Sequence, residues 1–345
     1  MSKTAVVVFN LGGPDSISAV KPFLFNLFND RAIIDFPQPF RWLLAKLISI
    51  LRSRKAKNIY KQIGGKSPIL EQTNAQAEAL EKKLKELGKE GEEYKTFVSM
   101  RYWNPMSSVV AKKVKAYEPD RVILLPLYPQ FSTATSGSSF ADWKNSAAEA
   151  GLTVPSTSIC CYPGDKQFLI AHAQIIRDMY WKASEEGKPR VLFSAHGLPE
   201  KIIAEGDPYQ WQVEKTVEHI LQILSIDEID YSICYQSRVG PMEWIGPSIG
   251  EEIKAAGEDK CPVLVVPVSF VSEHSETLVE LDIQYRKLAE KSGVTGYWRA
   301  PALGTDANFI EALAQLCIRA DNVPVCSYEK ARICPHQYDG CPHVE

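Results

Sequence analysis

The sequence lacks the long apolar run that a membrane span requires. None of its windows reaches about 18 uninterrupted apolar residues, and the nearest one, "FRWLLAKLISIL" at residues 40–51, is interrupted by Arg41 and Lys46. The first apolar run, "AVVVF", is too short for a signal peptide and leads into a turn. We therefore expect a cytoplasmic chain in which this run forms the first strand.

Charge excess, nucleotide motifs and a disulfide framework are also absent from the sequence. The formal net charge of −3 gives no electrostatic basis for nucleic-acid binding. The double glycines of "NLGGP" and "QIGGKSP" match neither GxxxxGK[ST] nor GxGxxG, so no nucleotide site is expected. The eight cysteines are scattered and follow no secretion signal, which disfavours structural disulfides.

Short apolar runs alternate with helical, charged stretches along the chain. Its 345 residues suffice for two domains. Strands are predicted at residues 5–9, 96–100, 122–127, 191–194, 231–234 and 263–268. Helices are predicted at residues 73–87, 167–185, 210–224, 275–291 and 308–319. This alternation predicts an α/β fold with parallel strands and right-handed crossovers.

Three motifs occur twice, in the same order. "VVVFNLGGP" resembles "VLFSAHGLP", "VSMRYWNPM" resembles "SICYQSRVGPM", and "VILLPLYPQFS" resembles "VLVVPVSFVSE". Repetition in order predicts two similar halves. We place them at residues 1–150 and 151–302, followed by a helix at 303–320 and a Cys/His-rich tail at 321–345.

The first half carries a surplus at about residues 20–60, where an apolar helical stretch ends in a basic cluster. That cluster comprises Arg52, Arg54, Lys55 and Lys57. One interpretation is a core helix with a solvated end. The other is an apolar flap that covers a large apolar ligand or rests on a membrane surface.

Polar side chains follow several of the predicted strands, where ligands of open α/β sheets bind. His196 ends "VLFSAH" and is either a structural turn residue or a group that binds a metal or accepts a proton. Glu276 and Glu280 share one face of the predicted helix at 275–291, with Glu273 before it and Ser272 as its N-cap. These carboxylates either decorate a helix start or conduct cations and protons.

Aromatic and polar residues are also expected near these strand ends. They are either core aromatics or the frame of a large planar ligand whose carboxylates pair with Arg52, Lys55 or Arg101. The set comprises Tyr60, Arg101, Tyr102, Trp103, Tyr128, Tyr235, Ser237 and Trp244.

Several of these stretches together resemble the ferrochelatase family. The resemblance runs over about residues 4–320 and rests on "NLGGP", "YKQIGGKSPI", "LPLYPQFS", "SAHGLP", "YQSRVGPMEWIGP" and "FVSEHSETLVELD". It implies two Rossmann-like halves, each a doubly wound α/β domain with a parallel four-stranded sheet, and a porphyrin cleft between them. It also implies a lyase that inserts Fe²⁺, its substrate, into protoporphyrin IX in the last step of haem biosynthesis.

The resemblance further implies roles for individual residues. His196 matches the family's active-site histidine, assigned as base or metal ligand, and Glu276 matches the acidic residue paired with it. Glu273 and Glu280 match outer carboxylates. The stretch at 20–60 matches a lip that covers the porphyrin and faces the inner surface of the cytoplasmic membrane. The matched porphyrin positions are Leu11, Arg52, Lys55, Tyr60, Arg101, Tyr102, Ser237 and Trp244.

The tail repeats Cys-Pro-His at Cys334–His336 and Cys341–His343, a composition that suits zinc or an iron–sulfur cluster. Bacterial members that hold a [2Fe–2S] cluster have a mid-chain cysteine and a terminal C-x6-C-x-C. This sequence keeps the six-residue gap but has His343 in the third place. The alternatives are a cluster, zinc or an exposed tail with incidental thiols. The cluster ligands would come from Cys160, Cys161, Cys326, Cys334, Cys341 and His343.

Two rival functions remain at this point. A coproporphyrin ferrochelatase would need more cationic pocket residues and a shorter apolar lip. A non-catalytic tetrapyrrole or metal carrier would keep the pocket without needing His196 and Glu276 together. Either a monomer or a homodimer is compatible with the sequence.

Overall fold

The computed structural model of the chain contains two β-sheets of parallel strands, one in each of two units. The structure describes residues 2–88, 90–238, 240, 242–320 and 323–343. The first unit contains the described residues of 2–161, 313–333 and 341–343. The second unit contains those of 162–312 and 334–340.

The first unit is built on five strands in the order β2-β1-β3-β4-β9. Its strands are β1 (Ser2–Asn10), β2 (Glu92–Met100), β3 (Arg121–Pro126), β4 (Ser156–Ile159) and β9 (Val325–Cys326). Its helices are α1 (Val20–Phe28), α2 (Phe40–Lys61), α3 (Ile69–Leu87), α4 (Ser107–Tyr117) and α5 (Ser138–Ala150). A π-helical turn, Thr133–Gly137, precedes α5.

The second unit is built on four strands in the order β6-β5-β7-β8. Its strands are β5 (Arg190–His196), β6 (Asp230–Gln236), β7 (Val263–Pro267) and β8 (Tyr297–Arg299). Its helices are α6 (Lys166–Ala183), α7 (Glu200–Ala204), α8 (Tyr209–Leu224), α9 (Ile249–Glu258), α10 (Arg286–Ser292) and α11 (Ala307–Arg319), whose last residues belong to the first unit. A 3₁₀ turn, Ser184–Glu186, follows α6, and a π-helix, Glu276–Tyr285, precedes α10.

The strand order confirms the predicted α/β fold of two similar halves. The order β2-β1-β3-β4 in the first unit is the order β6-β5-β7-β8 in the second, and every pair in both sheets is parallel. The central strands read as unbroken apolar runs because helices cover both faces of such sheets. The prediction of four strands per half is wrong for the first unit, since part of the tail adds β9 beside β4.

Equivalent turns follow equivalent strands. The Met100 amide at the end of β2 donates to the Pro105 carbonyl at 2.7 Å, and the Tyr235 amide in β6 donates to the Pro247 carbonyl at 2.9 Å. The sequence comparison had paired Pro105 with Pro241, which lies outside the described residues. The matching proline is Pro247, because the second unit has a longer loop before its turn.

The helix predicted at 275–291 is only partly correct. Residues Glu276–Tyr285 form a π-helix, and the α-helix begins at Arg286. The predicted cap Ser272 lies before the helix, whose N-cap position is Ser275. Hydrophobic periodicity over ten residues does not distinguish a π-helix from an α-helix, and π-helical segments are frequent at functional sites.

Helix α2 leaves large apolar side chains in solvent. Phe40 is 66% exposed, Leu47 53% and Leu51 70%. No helix in the described part of the chain is long and apolar enough to cross a bilayer. The stretch is therefore not the simple core helix of the first interpretation.

Candidate functional site

The strands of the second unit deliver polar residues to one edge of its sheet. His196 ends β5 and is in register with Gln236, which ends β6. Strand β7 ends at Pro267 and leads into the π-helix that begins with Glu276. Because carboxyl ends of parallel strands share an edge, the fold brings together residues that are 80 positions apart in sequence.

His196 and Glu276 contact each other directly. His196 Nδ1 lies 2.9 Å from Glu276 Oε2, and the two side chains are 38% and 29% exposed. Since the carboxylate accepts from Nδ1–H, the imidazole nitrogen left for a substrate is Nε2. Both groups are fixed by each other but remain accessible.

Each member of this pair favours the charged form of the other. Burial alone would lower the pKa of His196, but the charge and hydrogen bond of Glu276 raise it above the ordinary value. Burial alone would raise the pKa of Glu276, but His196 lowers it to about 2. Glu276 is therefore a carboxylate at neutral pH, poised for a cation.

Glu280 lies near the pair and is hydrogen-bonded to Ser237, the residue that follows β6. The Ser237 amide donates to its Oε1 at 2.9 Å, and the Ser237 hydroxyl donates to its Oε2 at 2.5 Å. Burial and the neighbouring charge of Glu276 raise the pKa of Glu280. The structure thus brings predicted residues Glu280 and Ser237 together next to Glu276.

Glu273 forms hydrogen bonds outside the His196–Glu276 pair. Its Oε1 accepts from Arg299 Nη1 at 2.9 Å and from the Ala302 amide at 3.0 Å. Arg299 also forms two hydrogen bonds to Asp282, at 2.6 and 2.8 Å. Glu273 therefore belongs to an ion-pair network with Arg299 and Asp282.

Gly197, the residue after His196, allows two segments of the chain to pack closely. A Cβ atom at this position would lie 3.0 Å from the Gln236 carbonyl oxygen and 3.4 Å from Trp244 Cε3. The glycine therefore lets the turn after His196 pack against the end of β6, where its amide donates to the Gln236 carbonyl at 2.9 Å. Predicted residue Trp244 lies against this turn.

In the first unit, three predicted porphyrin residues share one apolar cluster. Tyr60 and Tyr102 are buried in it, and Leu11 packs against it from the surface. Phe28 belongs to the same cluster, and the guanidinium of Arg52 lies over its ring at 5.6 Å from the centroid. Lys55 lies on the same helix and is exposed. Leu11 and Phe28 are half-buried, so the apolar cluster reaches the surface near these two cations.

Arg101 and Tyr102 meet at a buried carboxylate that sequence reasoning missed. Arg101 Nη2 lies 2.9 Å from Asp30 Oδ2, and the Tyr102 hydroxyl donates to the same oxygen at 2.7 Å. Burial would raise the pKa of Asp30, but Arg101 and these hydrogen bonds lower it. Arg101 also borders a polar cavity of about 270 Å³, with Asp142 3.5 Å away.

Comparison with known proteins places these residues in context. A sequence model of the ferrochelatase family matches residues 3–321. A ferrochelatase of Wolbachia sp. subsp. Drosophila simulans (strain wRi) is 54% identical over 316 residues, covering 92% of this chain and 99% of that protein. A ferrochelatase of Pelagibacter ubique is 48% identical over 342 residues, covering 99% of this chain and 98% of that protein. The chain belongs to the ferrochelatase family.

A solved structure agrees with the fold. SirB from Bacillus subtilis with Fe³⁺ covers 93% of this chain with a TM-score of 0.54, although only 13% of residues are identical. Membership in the ferrochelatase family confirms the prediction of a metal-chelating lyase that takes iron as substrate. This membership gives no support to the alternative function of a non-catalytic carrier.

The structure shows no metal site at those proposed cluster ligands that it describes. No group of three or more Cys, His, Asp or Glu side chains suited to a metal occurs among the described residues. Cys160 and Cys161 pack in an apolar cluster with Phe131. Cys334 belongs to the second unit, where Gln212 Nε2 donates to its sulfur at 3.1 Å, while Cys341 belongs to the first. A [2Fe–2S] cluster needs four converging ligands, so the prediction gains no support.

Three residues around the pair were not singled out from the sequence. His274 Nδ1 accepts from the Glu276 amide at 3.1 Å, and burial lowers the pKa of His274. Gln236 contacts both Glu276 and Glu280. Tyr209 is buried beside Ser269. His274 stands two positions before Glu276, so the spacing H-x-E could have indicated it. Gln236 lies in the quoted stretch "YQSRVGPMEWIGP", which marked its place but not its role, and Tyr209 gives no local signal.

Proposed function

We propose that the chain inserts Fe²⁺ into protoporphyrin IX, releasing the two pyrrole protons, and that His196 and Glu276 carry out the exchange. The observation that carries this proposal is the 2.9 Å contact of His196 Nδ1 with Glu276 Oε2 at the strand ends. Because Glu276 holds Nδ1, Nε2 is the nitrogen that accepts a pyrrole proton as the metal enters. The neutral imidazole is the form that accepts this proton, and it predominates above the raised pKa of His196.

Glu276 is proposed to receive the iron. Imidazole and carboxylate groups are both accepted ligands of Fe²⁺, and Glu276 remains ionised because His196 keeps its pKa at about 2. Glu280 lies behind it and offers the next carboxylate for a departing proton. One side chain thus orients the histidine and attracts the cation.

Protoporphyrin IX is proposed as the substrate because the residues matched to its pocket are aromatic with few cations. Tyr60 and Tyr102 form the buried part of an apolar cluster, and its half-buried members Leu11 and Phe28 offer apolar contact to a planar ring. Arg52 and Lys55 supply two cations, which suits the two propionates of protoporphyrin better than the four carboxylates of coproporphyrin. Binding energy from such a surface can bend the ring so that its nitrogens face the metal.

The test is haem formation under anaerobic conditions with purified protein, Fe²⁺ and protoporphyrin IX, followed by the Soret band. We expect conversion with protoporphyrin IX to exceed conversion with coproporphyrin III by at least about tenfold in kcat/KM, or roughly 1.4 kcal/mol. Faster turnover of coproporphyrin III would overturn the substrate assignment. Tight porphyrin binding without turnover would overturn the proposed catalytic activity.

His196→Ala identifies the group responsible. We expect loss of turnover with porphyrin binding retained, as measured by quenching of tryptophan fluorescence. His219→Ala, the same substitution on α8 outside the site, is the control and should behave as wild type. Undiminished turnover in His196→Ala would refute its role.

We also propose that α2 rests on a membrane surface. The support is the row of exposed apolar residues on α2, among them Leu43 at 55%, Leu47 at 53% and Leu51 at 70%. The basic residues Arg54 and Lys55 follow them and favour anionic headgroups.

Sedimentation with phosphatidylcholine vesicles, with and without phosphatidylglycerol, tests this surface. Wild type should co-sediment best with the anionic vesicles. Leu47→Glu/Leu51→Glu should reduce binding, while Leu87→Glu on α3, also at an exposed leucine, should not. Equal binding by all three proteins would refute the proposal.

A further inference from the structure

We propose that Gln236 is a positioning residue that holds the π-helix carrying Glu276 and Glu280 at its working distance from His196. This inference rests on the proposed function of the His196–Glu276 pair. Gln236 itself does not touch the substrate in this scheme, because it is 0% exposed. It acts through the two glutamates.

The orientation of the Gln236 amide is fixed from one side. Its Oε1 accepts a hydrogen bond from the Ser194 hydroxyl at 2.8 Å, and Ser194 is also 0% exposed. A hydroxyl that donates to Oε1 assigns the opposite end of the amide as the NH₂ group. Strand β5, which carries His196, thereby determines which way the amide points.

The NH₂ group reaches the π-helix at two points. Gln236 Nε2 lies 3.2 Å from the Glu276 carbonyl oxygen and 3.2 Å from Glu280 Oε2. The first contact fixes the backbone of the residue that pairs with His196. The second fixes the carboxylate behind it, so one amide sets the position of both.

Register makes this link short and stiff. Gln236 is the direct strand partner of His196 across β5 and β6. A path of three hydrogen bonds therefore runs from Ser194, two residues before His196, through Gln236 to Glu276 and Glu280. A buried network with all its partners satisfied holds its members rigidly.

A neutral amide is the side chain that this position requires. It must accept from Ser194 and donate twice to oxygen atoms, which a glutamine does. A glutamate would place a third carboxylate beside Glu276 and Glu280, and a methionine of similar length would leave Ser194, the carbonyl and the carboxylate without this partner.

Gln236→Met tests the proposal in the assay with Fe²⁺ and protoporphyrin IX. Loss of a group that orients a metal-binding residue commonly reduces metal affinity or activity by 10–100-fold, so we expect kcat/KM for Fe²⁺ to fall by at least about tenfold. The KM for porphyrin should stay within about twofold of wild type, because Gln236 has no contact with the ring. Gln76→Met, at a glutamine of the first unit that is 1% exposed, is the matched control for a buried glutamine lost elsewhere.

Ser194→Ala provides a second arm that does not depend on the folding of the first variant. It frees the orientation of the amide and should lower kcat/KM for Fe²⁺ by about threefold, the equivalent of one hydrogen bond. In the double variant Ser194→Ala/Gln236→Met, the two effects should not add, because both act through the same amide.

The outcomes separate this inference from the proposed function. A wild type that forms no haem contradicts the proposed function. An active wild type that loses activity in His196→Ala, but whose Gln236→Met and Ser194→Ala variants match Gln76→Met in every kinetic constant, contradicts the positioning role alone. Equal losses in the KM for Fe²⁺ and the KM for porphyrin also contradict it, since they indicate a general structural defect.

Discussion

The ends of β1 and β5 occupy the same place in two sheets of the same order, yet they do different things. Asn10 ends β1 and is only 5% exposed, with its Nδ2 donating to Thr73 Oγ1 at 2.9 Å and its Oδ1 accepting from the Leu11 amide at 2.8 Å. His196 ends β5 and is 38% exposed, with one nitrogen held by Glu276. The same turn is locked by hydrogen bonds in one unit and presents a reactive group in the other.

The next strands repeat the contrast. Arg101 follows β2 and is bound to the buried Asp30. Gln236 ends β6 and supports Glu276 and Glu280. After β3 and β7, both units form a π-helical turn, but only the one in the second unit carries glutamates. The duplicated fold thus places residues at equivalent strand ends in both units. The identity of the side chains there determines which unit carries the reactive groups.

The largest expected effect comes from converting one turn into the other. His196→Asn gives β5 the residue that ends β1, and we expect haem formation to fall by about 10²–10⁴-fold because the proton acceptor is lost. Steady-state kinetics with Fe²⁺ and protoporphyrin IX measure it. Activity within tenfold of wild type would mean that the turn, not the imidazole, is what matters.

The second effect concerns the ion-pair network of the second unit. Arg299→Met leaves Glu273 and Asp282 without their cation in a site where Arg299 is 10% exposed. Breaking a buried pair in this way costs about 3 kcal/mol in unfolding free energy. Denaturant unfolding measures it, with Lys287→Met on α10 as the control. A loss equal to that of the control would show that the network does not stabilise the unit.

The third effect tests the structural role of the end of β1. Asn10→Ala removes the donor to Thr73 and should lower the free energy of unfolding by about 1.5 kcal/mol. The folded fraction should keep its specific activity, in contrast to His196→Asn. Chemical denaturation with activity measured on the folded fraction separates the two. A catalytic loss without a stability loss would reverse the assignment.

The smallest effect is a pH dependence that only the second unit should show. The pair of His196, with a raised pKa, and Glu276, with a lowered one, stabilises the fold when both are charged. Its contribution is full between the ordinary pKa values of 4.5 and 6.5, and it declines as pH rises through the pKa of His196 or falls toward that of Glu276.

The stability difference between wild type and Glu276→Gln, measured by thermal unfolding, should therefore be largest between pH 4.5 and 6.5. Glu252→Gln on α9 should give a difference that does not follow this curve. A constant difference across the pH range would mean that the pair carries no charge interaction.

Much of this architecture could be predicted from the sequence. Apolar runs of parallel strands are continuous and local, so all six predicted strands correspond to observed ones. The short strands β4, β8 and β9 were missed, since two to four residues carry little pattern. The repeat of "NLGGP" and "HGLP" predicted equivalent turns, and the strand order agrees with it.

The fold class, the family and the residue types at the strand ends follow from the sequence alone, because short local stretches encode each of them. Which of those residues meet depends on the tertiary structure. It joined His196 to Glu276 and assigned Glu273 to Arg299. It also placed Gln236, whose role no local pattern indicates, in hydrogen-bond contact with both glutamates. The physical reason is that hydrogen-bond partners are chosen by strand register and helix geometry, which bring together residues 40 to 80 positions apart.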